Sequence, residues 1–385
     1  MEKFEKKFDK AYGLNEIALV PTASTVDPRL VDLSSKIANI ELKIPIIASA
    51  MDSVVDVDTA VELSQHGALG ILNLEGVQTR YEDPKKVLKK IASVDKADYV
   101  STMQEIYKEQ VKDELIIERI NKIKKNGGQA VVSITPQNAK RLSKLAQKAG
   151  ADAILIQATV VGANFETVEG GENLDLKQFC EECDIPVFVG NATTYEVALN
   201  LMKTGIQGLF IGIGPGAACT TRGVLGIGVP MATAISKTCA ARESYLEETG
   251  RYVPIIADGG IVNSGDICKA IACGADAVMI GSPLARSSSA PGQGFHWGMA
   301  TPNALLPRGA RISVGQIASL KQILYGPSDS DDGSQNFYDA LKTCCATLGV
   351  KNLKGLQQVE IIIAPALQTE GKVYQSLQSV GMKKK

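Results

Sequence analysis

Residues 254–282 read PIIADGGIVNSGDICKAIACGADAVMIGS, and the order of signals inside this stretch decides the fold class. Pro254–Ala257 is a short apolar run that ends in a glycine turn. Ser264–Cys273 spaces its apolar residues as a helix does. The phrase CGAD then sets a glycine just past the helix end, and Ala277–Ile280 is a second apolar run. Runs this short and apolar throughout suit parallel strands covered by helices on the outside. A glycine at the first position beyond a helix supplies the left-handed turn that leads the chain back to the sheet.

The same unit recurs upstream along the chain. Ile44–Ala50, Ala68–Leu72, Ala130–Ile134, Ala153–Gln157, Pro186–Gly190 and Gly208–Ile213 read as further strands. Val57–Gln65, Asn138–Ala149, Tyr195–Thr204 and Met231–Thr249 read as helices, with AGAD at 149 and TGIQ at 204 closing two of them. With the two strands of the opening stretch the count reaches eight, which predicts a (β/α)₈ barrel; a doubly wound open sheet is the alternative. The expectation is a single catalytic barrel domain over residues 1–385. Its N-terminal lead-in covers 1–43, a polar, Lys-rich irregular segment covers 73–112, and an active-site loop covers 285–335 after the last strand. A closing helix is expected over Gln335–Gly349.

Composition narrows the function classes. The 385 residues carry a formal net charge of −1 and are 45% hydrophobic, with 36 glycines. No basic field invites nucleic acid. No apolar run is long enough to span a membrane, and the charged start MEKFEKKFDK lacks the apolar stretch of a signal peptide. Eight scattered cysteines suit reduced thiols in a cytoplasmic chain. The pair in Cys180-Glu-Glu-Cys183 has metal-ligand spacing but no second pair, and His66 and His296 are the only histidines, so zinc is not expected.

The strongest chemical signal is GIGPGAACTTRG, Gly212–Gly223, directly after the strand GLFIGI. A loop at the C-terminal end of a barrel strand is where such folds place their chemistry. Cys219 stands there beside the hydroxyls of Thr220 and Thr221 and the cation Arg222, a setting that suits a nucleophilic thiolate. Two further turns, Asp258-Gly259-Gly260 and Gly281-Ser282, follow the seventh and eighth strands. These are the loops with which barrels frequently bind phosphate, and a carboxylate beside them is placed to accept from ribose hydroxyls.

Together the cysteine loop and the two turns resemble the IMP dehydrogenase and GMP reductase family. LNEIALVPTASTVDPRLVDLS, IPIIASAMDSV, VGNATT and HWGMA continue the resemblance along most of the chain. It implies that Cys219 adds to C2 of a purine nucleotide, with Thr221 assisting proton transfer and a hydride passing between C2 and NAD. It places Ser49, Met51, Gly298 and Met299 at the base, Asp258 at the ribose, and Gly260, Gly281, Ser282 and His296 at the phosphate. Gln157, Thr159, Asn191 and Gly212 fall on the cofactor side. The carbonyls of Gly214, Gly216 and Cys219 match a potassium site, and the family is usually a homotetramer. The departures are specific. Segment 73–112 is too short for the paired CBS modules that most of the dehydrogenases insert there. Gln157 stands for an aspartate, Ala217 for a serine, and His296 for a tyrosine.

Two reactions fit that resemblance. The dehydrogenase, IMP to XMP, must hydrolyse its cysteine adduct and needs a base; Arg308 is the first candidate and Arg311 the second. The reductase, GMP to IMP with NADPH, usually pairs the threonine with a glutamate, and PRGARISVG offers none. The expectation is therefore the dehydrogenase. The alternatives are the reductase and a silent nucleotide-binding regulator.

Overall fold

The structure, a computed structural model, describes residues 8–298 and 310–381 except 160, 163, 166–173, 366–371 and 379. Eight strands are hydrogen-bonded, all in parallel, into a closed barrel. In chain order they are β1 (Ile46–Ala48), β2 (Leu69–Asn73), β3 (Val131–Ile134), β4 (Ala153–Gln157), β5 (Val187–Ala192), β6 (Gly208–Ile211), β7 (Ile255–Asp258) and β8 (Ala277–Ile280). Pairing of Val278 with Ile46 closes the ring between β8 and β1. All eight expected strands are present, so the open-sheet alternative falls.

Alternation along each strand divides the apolar residues between two cores. Ile47, Leu69, Ile71, Val131, Leu155, Phe188, Phe210, Ile256 and Met279 fill the barrel interior. Their neighbours Ile46, Leu72, Val132, Ile154, Val189, Leu209, Ile255 and Val278 pack outward against the helices. Large and small positions interlock inside. A Cβ at Gly208 would lie 2.8 Å from the Phe188 ring, and one at Gly190 2.5 Å from Phe210 Cβ, so glycine there makes room for the two rings. The lead-in contributes a hairpin, Ser35–Ile37 with Ile40–Leu42, whose Ile37, Ile40 and Leu42 join the interior cluster.

Helices Val57–Gln65, Ala139–Lys148, Tyr195–Lys203, Met231–Thr249 and Ser264–Ala272 cover the barrel, within a residue or two of the expected bounds. Gly150, Gly205 and Gly274, the glycines of AGAD, TGIQ and CGAD, all have positive φ. The closing helix runs Phe337–Thr347.

Segment 73–112 corrects the sequence reading. It is not irregular: it holds helices Pro84–Ser93 and Tyr99–Ile106, and a third helix, Asp113–Lys125, follows. Asp83 caps the first by accepting from the Lys86 amide at 3.1 Å. Each of the first two helices buries a narrow stripe, Leu88 and Ile91 in one and Tyr99, Met103 and Ile106 in the other, and in the first the four lysines mask the period. These residues form a small core of their own with Val77, Tyr107 and Trp297. The loop after β8 likewise holds an antiparallel pair, Phe295–His296 against Ile312–Ser313, and a helix at Leu320–Tyr325.

Candidate active site

The C-terminal ends of the eight strands open on one mouth, and the side chains singled out in the sequence converge there. The cysteine loop leaves β6 through Gly212, where a Cβ would lie 2.1 Å from the Asp258 carbonyl oxygen. Only glycine lets β6 and β7 approach so closely. The loop turns back when the Cys219 amide donates to the Gly216 carbonyl at 3.0 Å. Its outer side rests on the next turn: a Cβ at Gly260 would stand 2.9 Å from Pro215 Cβ.

Cys219 is exposed at the mouth, and its Sγ lies 3.1 Å from Thr221 Oγ1. Thr221 itself is buried at the start of the short helix Thr221–Leu225. Arg222 does something other than the sequence reading gave it. Its guanidinium donates to the carbonyls of Ile213 at 3.3 Å and Val229 at 2.9 Å, so it braces the loop from within.

Gln157, Asn191 and Asp258 form one hydrogen-bonded cluster across β4, β5 and β7. Asp258 Oδ2 accepts from Gln157 Nε2 at 2.9 Å and from Asn191 Nδ2 at 2.7 Å, and Gln157 Nε2 also reaches Asn191 Oδ1 at 3.0 Å. Burial pushes the Asp258 carboxyl up to about 6, and the two amide donors work against that rise. The ribose and cofactor candidates are thus coupled rather than separate. Thr159 stands half-buried beyond the end of β4.

The phosphate candidates lie after β7 and β8. Ser282 Oγ and His296 Nε2 are 2.9 Å apart, and burial lowers the His296 imidazole to about 4, so the ring is neutral at ordinary pH. A neutral imidazole offers a hydrogen bond where a charge is absent. Ser49 and Met51 line the adjoining wall: a Cβ at Gly281 would lie 3.2 Å from Met51 Sδ and 3.4 Å from Ser49 Oγ. Gly298 is half-buried where the described chain stops, and Met299 and Arg308 lie outside the described residues.

Arg311 is not placed to act as a base. Its Nη1 donates to the Ile91 carbonyl at 2.7 Å, and its guanidinium sits 5.0 Å from the centre of the Tyr99 ring and 4.9 Å from that of Phe295. These contacts hold the guanidinium against the helices of segment 73–112 and away from the Cys219 loop. Sequence reasoning also missed Asp52, Tyr107 and Trp297, which join behind the site. The available signal was the spacing of Tyr99, Met103, Ile106 and Tyr107, one helical stripe in the segment read as irregular.

The IMP dehydrogenase / GMP reductase domain matches residues 11–301. This chain belongs to the IMP dehydrogenase / GMP reductase family. An uncharacterized oxidoreductase of Mycobacterium leprae is 40% identical over 92% of this chain and 97% of the relative. The inosine-5'-monophosphate dehydrogenase of Cryptosporidium parvum is 35% identical over 75% of this chain and 71% of its own length. Among solved structures, an IMP dehydrogenase/GMP reductase-like protein from Corynebacterium glutamicum superposes with a TM-score of 0.87 at 37% identity, covering 94% of this chain and 96% of that one. As a family oxidoreductase, the chain carries its cysteine loop, acidic turn and Gly-Ser turn on β6, β7 and β8 of one barrel. Among the described residues no helix is long and apolar enough to cross a membrane.

Proposed function

We propose that the protein oxidises IMP to XMP with NAD through a cysteine adduct at purine C2. The observation that carries this reading is the 3.1 Å contact between Cys219 Sγ and Thr221 Oγ1 at the open end of the barrel. A binding module needs no exposed thiol paired with a hydroxyl, whereas covalent catalysis needs a nucleophile with a proton carrier in reach. In the first half-reaction the Cys219 sulfur bonds to C2 as the hydride leaves C2. In the second, water attacks C2, the S–C2 bond breaks, and a proton returns to the thiolate. Thr221 passes protons at that position. Arg308 is the proposed base for the water.

Asp258 accepts from the ribose hydroxyls, Gly260, Gly281, Ser282 and His296 surround the phosphate, and Ser49, Met51, Gly298 and Met299 face the base. On the cofactor side stand Gln157, Thr159, Asn191 and Gly212, whose amides suit a carboxamide that both donates and accepts. NAD, when bound, supplies the hydride acceptor. The carbonyls of Gly214, Gly216 and Cys219 are hard oxygen donors that suit potassium. Gly216 keeps one lone pair beyond its bond to the Cys219 amide, so the three fit as part of a site completed by other oxygens. We expect a homotetramer.

A second reading, reduction of GMP with NADPH, is favoured by one observation. The engagement of Arg311 removes one of the two candidate bases for a hydrolysis that only the dehydrogenase performs. Purified protein with IMP and NAD in potassium buffer, followed by NADH absorbance, decides the matter alongside a GMP and NADPH arm. NADH with XMP establishes the dehydrogenase; NADPH loss with IMP and ammonia establishes the reductase. Silence in both arms with nucleotide still bound overturns both and leaves a regulator.

A further inference from the structure

We propose that Tyr107 and Arg311 are positioning residues through which the helical excursion outside the barrel, residues 84–112, fixes Met51 and His296 at the nucleotide wall. The inference rests on the reading of this mouth as a purine-nucleotide site. Asp52 directly follows Met51 and is fully buried. Its Oδ2 accepts the Tyr107 hydroxyl at 2.6 Å and the Val77 amide at 2.9 Å. Trp297 directly follows His296, is also fully buried, and its indole N–H donates to the same Tyr107 oxygen at 3.1 Å. One phenol therefore ties the residue after Met51 to the residue after His296. Hydrogen bonds held away from water polarise and reinforce one another, so this link is stiff.

A second link runs in parallel. Strand Ile312–Ser313 pairs with Phe295–His296, and Arg311, just before it, lies over the rings of Tyr99 and Phe295 while donating to the Ile91 carbonyl. Both strands of the pair that presents His296 are thus held by the excursion. The excursion has no group of its own in the mouth: Leu88, Ile91, Tyr99, Met103 and Ile106 pack among themselves and against Trp297. Its contribution to binding is geometric.

Trp297 is the only tryptophan in the chain, so its emission reports on this junction alone. The experiment measures Trp297 emission, the dissociation constant for IMP by titration of that emission, and KM and kcat in whichever arm of the assay is active. Tyr107→Phe should shift the emission and raise the dissociation constant and nucleotide KM about tenfold, the scale of one lost buried hydrogen bond, with kcat nearly unchanged. Tyr81→Phe is the control: it deletes a different bond onto the excursion, to the Ile106 carbonyl at 2.8 Å, and should leave KM and emission unaltered. Arg311→Met should raise KM in the same way, and Arg311→Lys should restore most of it; this pair carries the test should Tyr107→Phe fail to fold. Wild-type protein that binds no purine nucleotide overturns the functional reading and the inference with it. Wild-type binding with Tyr107→Phe or Arg311→Met unchanged in KM, or Tyr81→Phe equally impaired, overturns the positioning role alone.

Discussion

Replacing Asp258 by asparagine should stabilise the fold near neutral pH while weakening the site. The carboxyl is raised from 3.8 to about 6 because burial penalises its charge more than the amides of Asn191 and Gln157 favour it. An acid whose folded pKa lies above its unfolded one holds its proton more tightly in the fold. Below the unfolded value both states are protonated and nothing is lost; stability falls as pH rises between the two values, and the loss is complete above about 6. A rise of about two units corresponds to roughly 3 kcal/mol at ~1.36 kcal/mol per unit, an upper figure because Asp258 is partly accessible at the mouth. Asparagine keeps the shape and one oxygen for the two amide donors but carries no charge. Asp258→Asn should therefore gain up to about 3 kcal/mol at about pH 8 and almost nothing at about pH 4, read from urea unfolding midpoints at both. The same variant should lose nucleotide affinity, since the ribose loses its anionic acceptor. A destabilised variant at the higher pH, or an equal change at both, would refute the electrostatic reasoning.

Other outcomes follow from the same geometry. Inosine, which has no phosphate to titrate, should bind about tenfold more weakly at one pH unit below the Asp258 pKa of about 6 than well above it, by calorimetry. Cys219→Ala should abolish turnover while leaving the dissociation constant for nucleotide largely intact; unchanged turnover sinks the covalent mechanism. His296, one of two histidines in the chain, should show no imidazole titration above about pH 5 in NMR spectra, because its pKa is lowered to about 4. Since the fold favours its neutral form, stability should fall as pH drops below the ordinary imidazole value. Phe210→Ala should cost roughly 3–5 kcal/mol in the same unfolding experiment, because Phe210 is fully buried with its ring centre 6.4 Å from that of Phe188.

The sequence by itself determined the barrel and the ring of residues around its mouth. Strands buried on both faces must be apolar throughout, helices between them need glycine to end, and each glycine-rich turn sits at the C-terminal end of a strand. That is why Ala153–Gln157 and Ala277–Ile280 match the strands residue for residue, and why Cys219, Asp258 and Ser282 were identifiable before any contact was known. Local patterns carry such information because it lies within a few residues along the chain. Roles that depend on distant partners were not legible. Arg222 reads as a cation beside a thiol and proves to be a brace on the carbonyls of Ile213 and Val229. Arg311 reads as a base and proves to lie between two aromatic rings. Tyr107 sits in a Lys-rich stretch whose sparse apolar stripe conceals two helices, yet it bonds Asp52 across 55 positions and Trp297 across 190. What an arginine or a tyrosine does is set by which carbonyls, rings and carboxylates the closed barrel brings within bonding distance, and only the tertiary structure decides that.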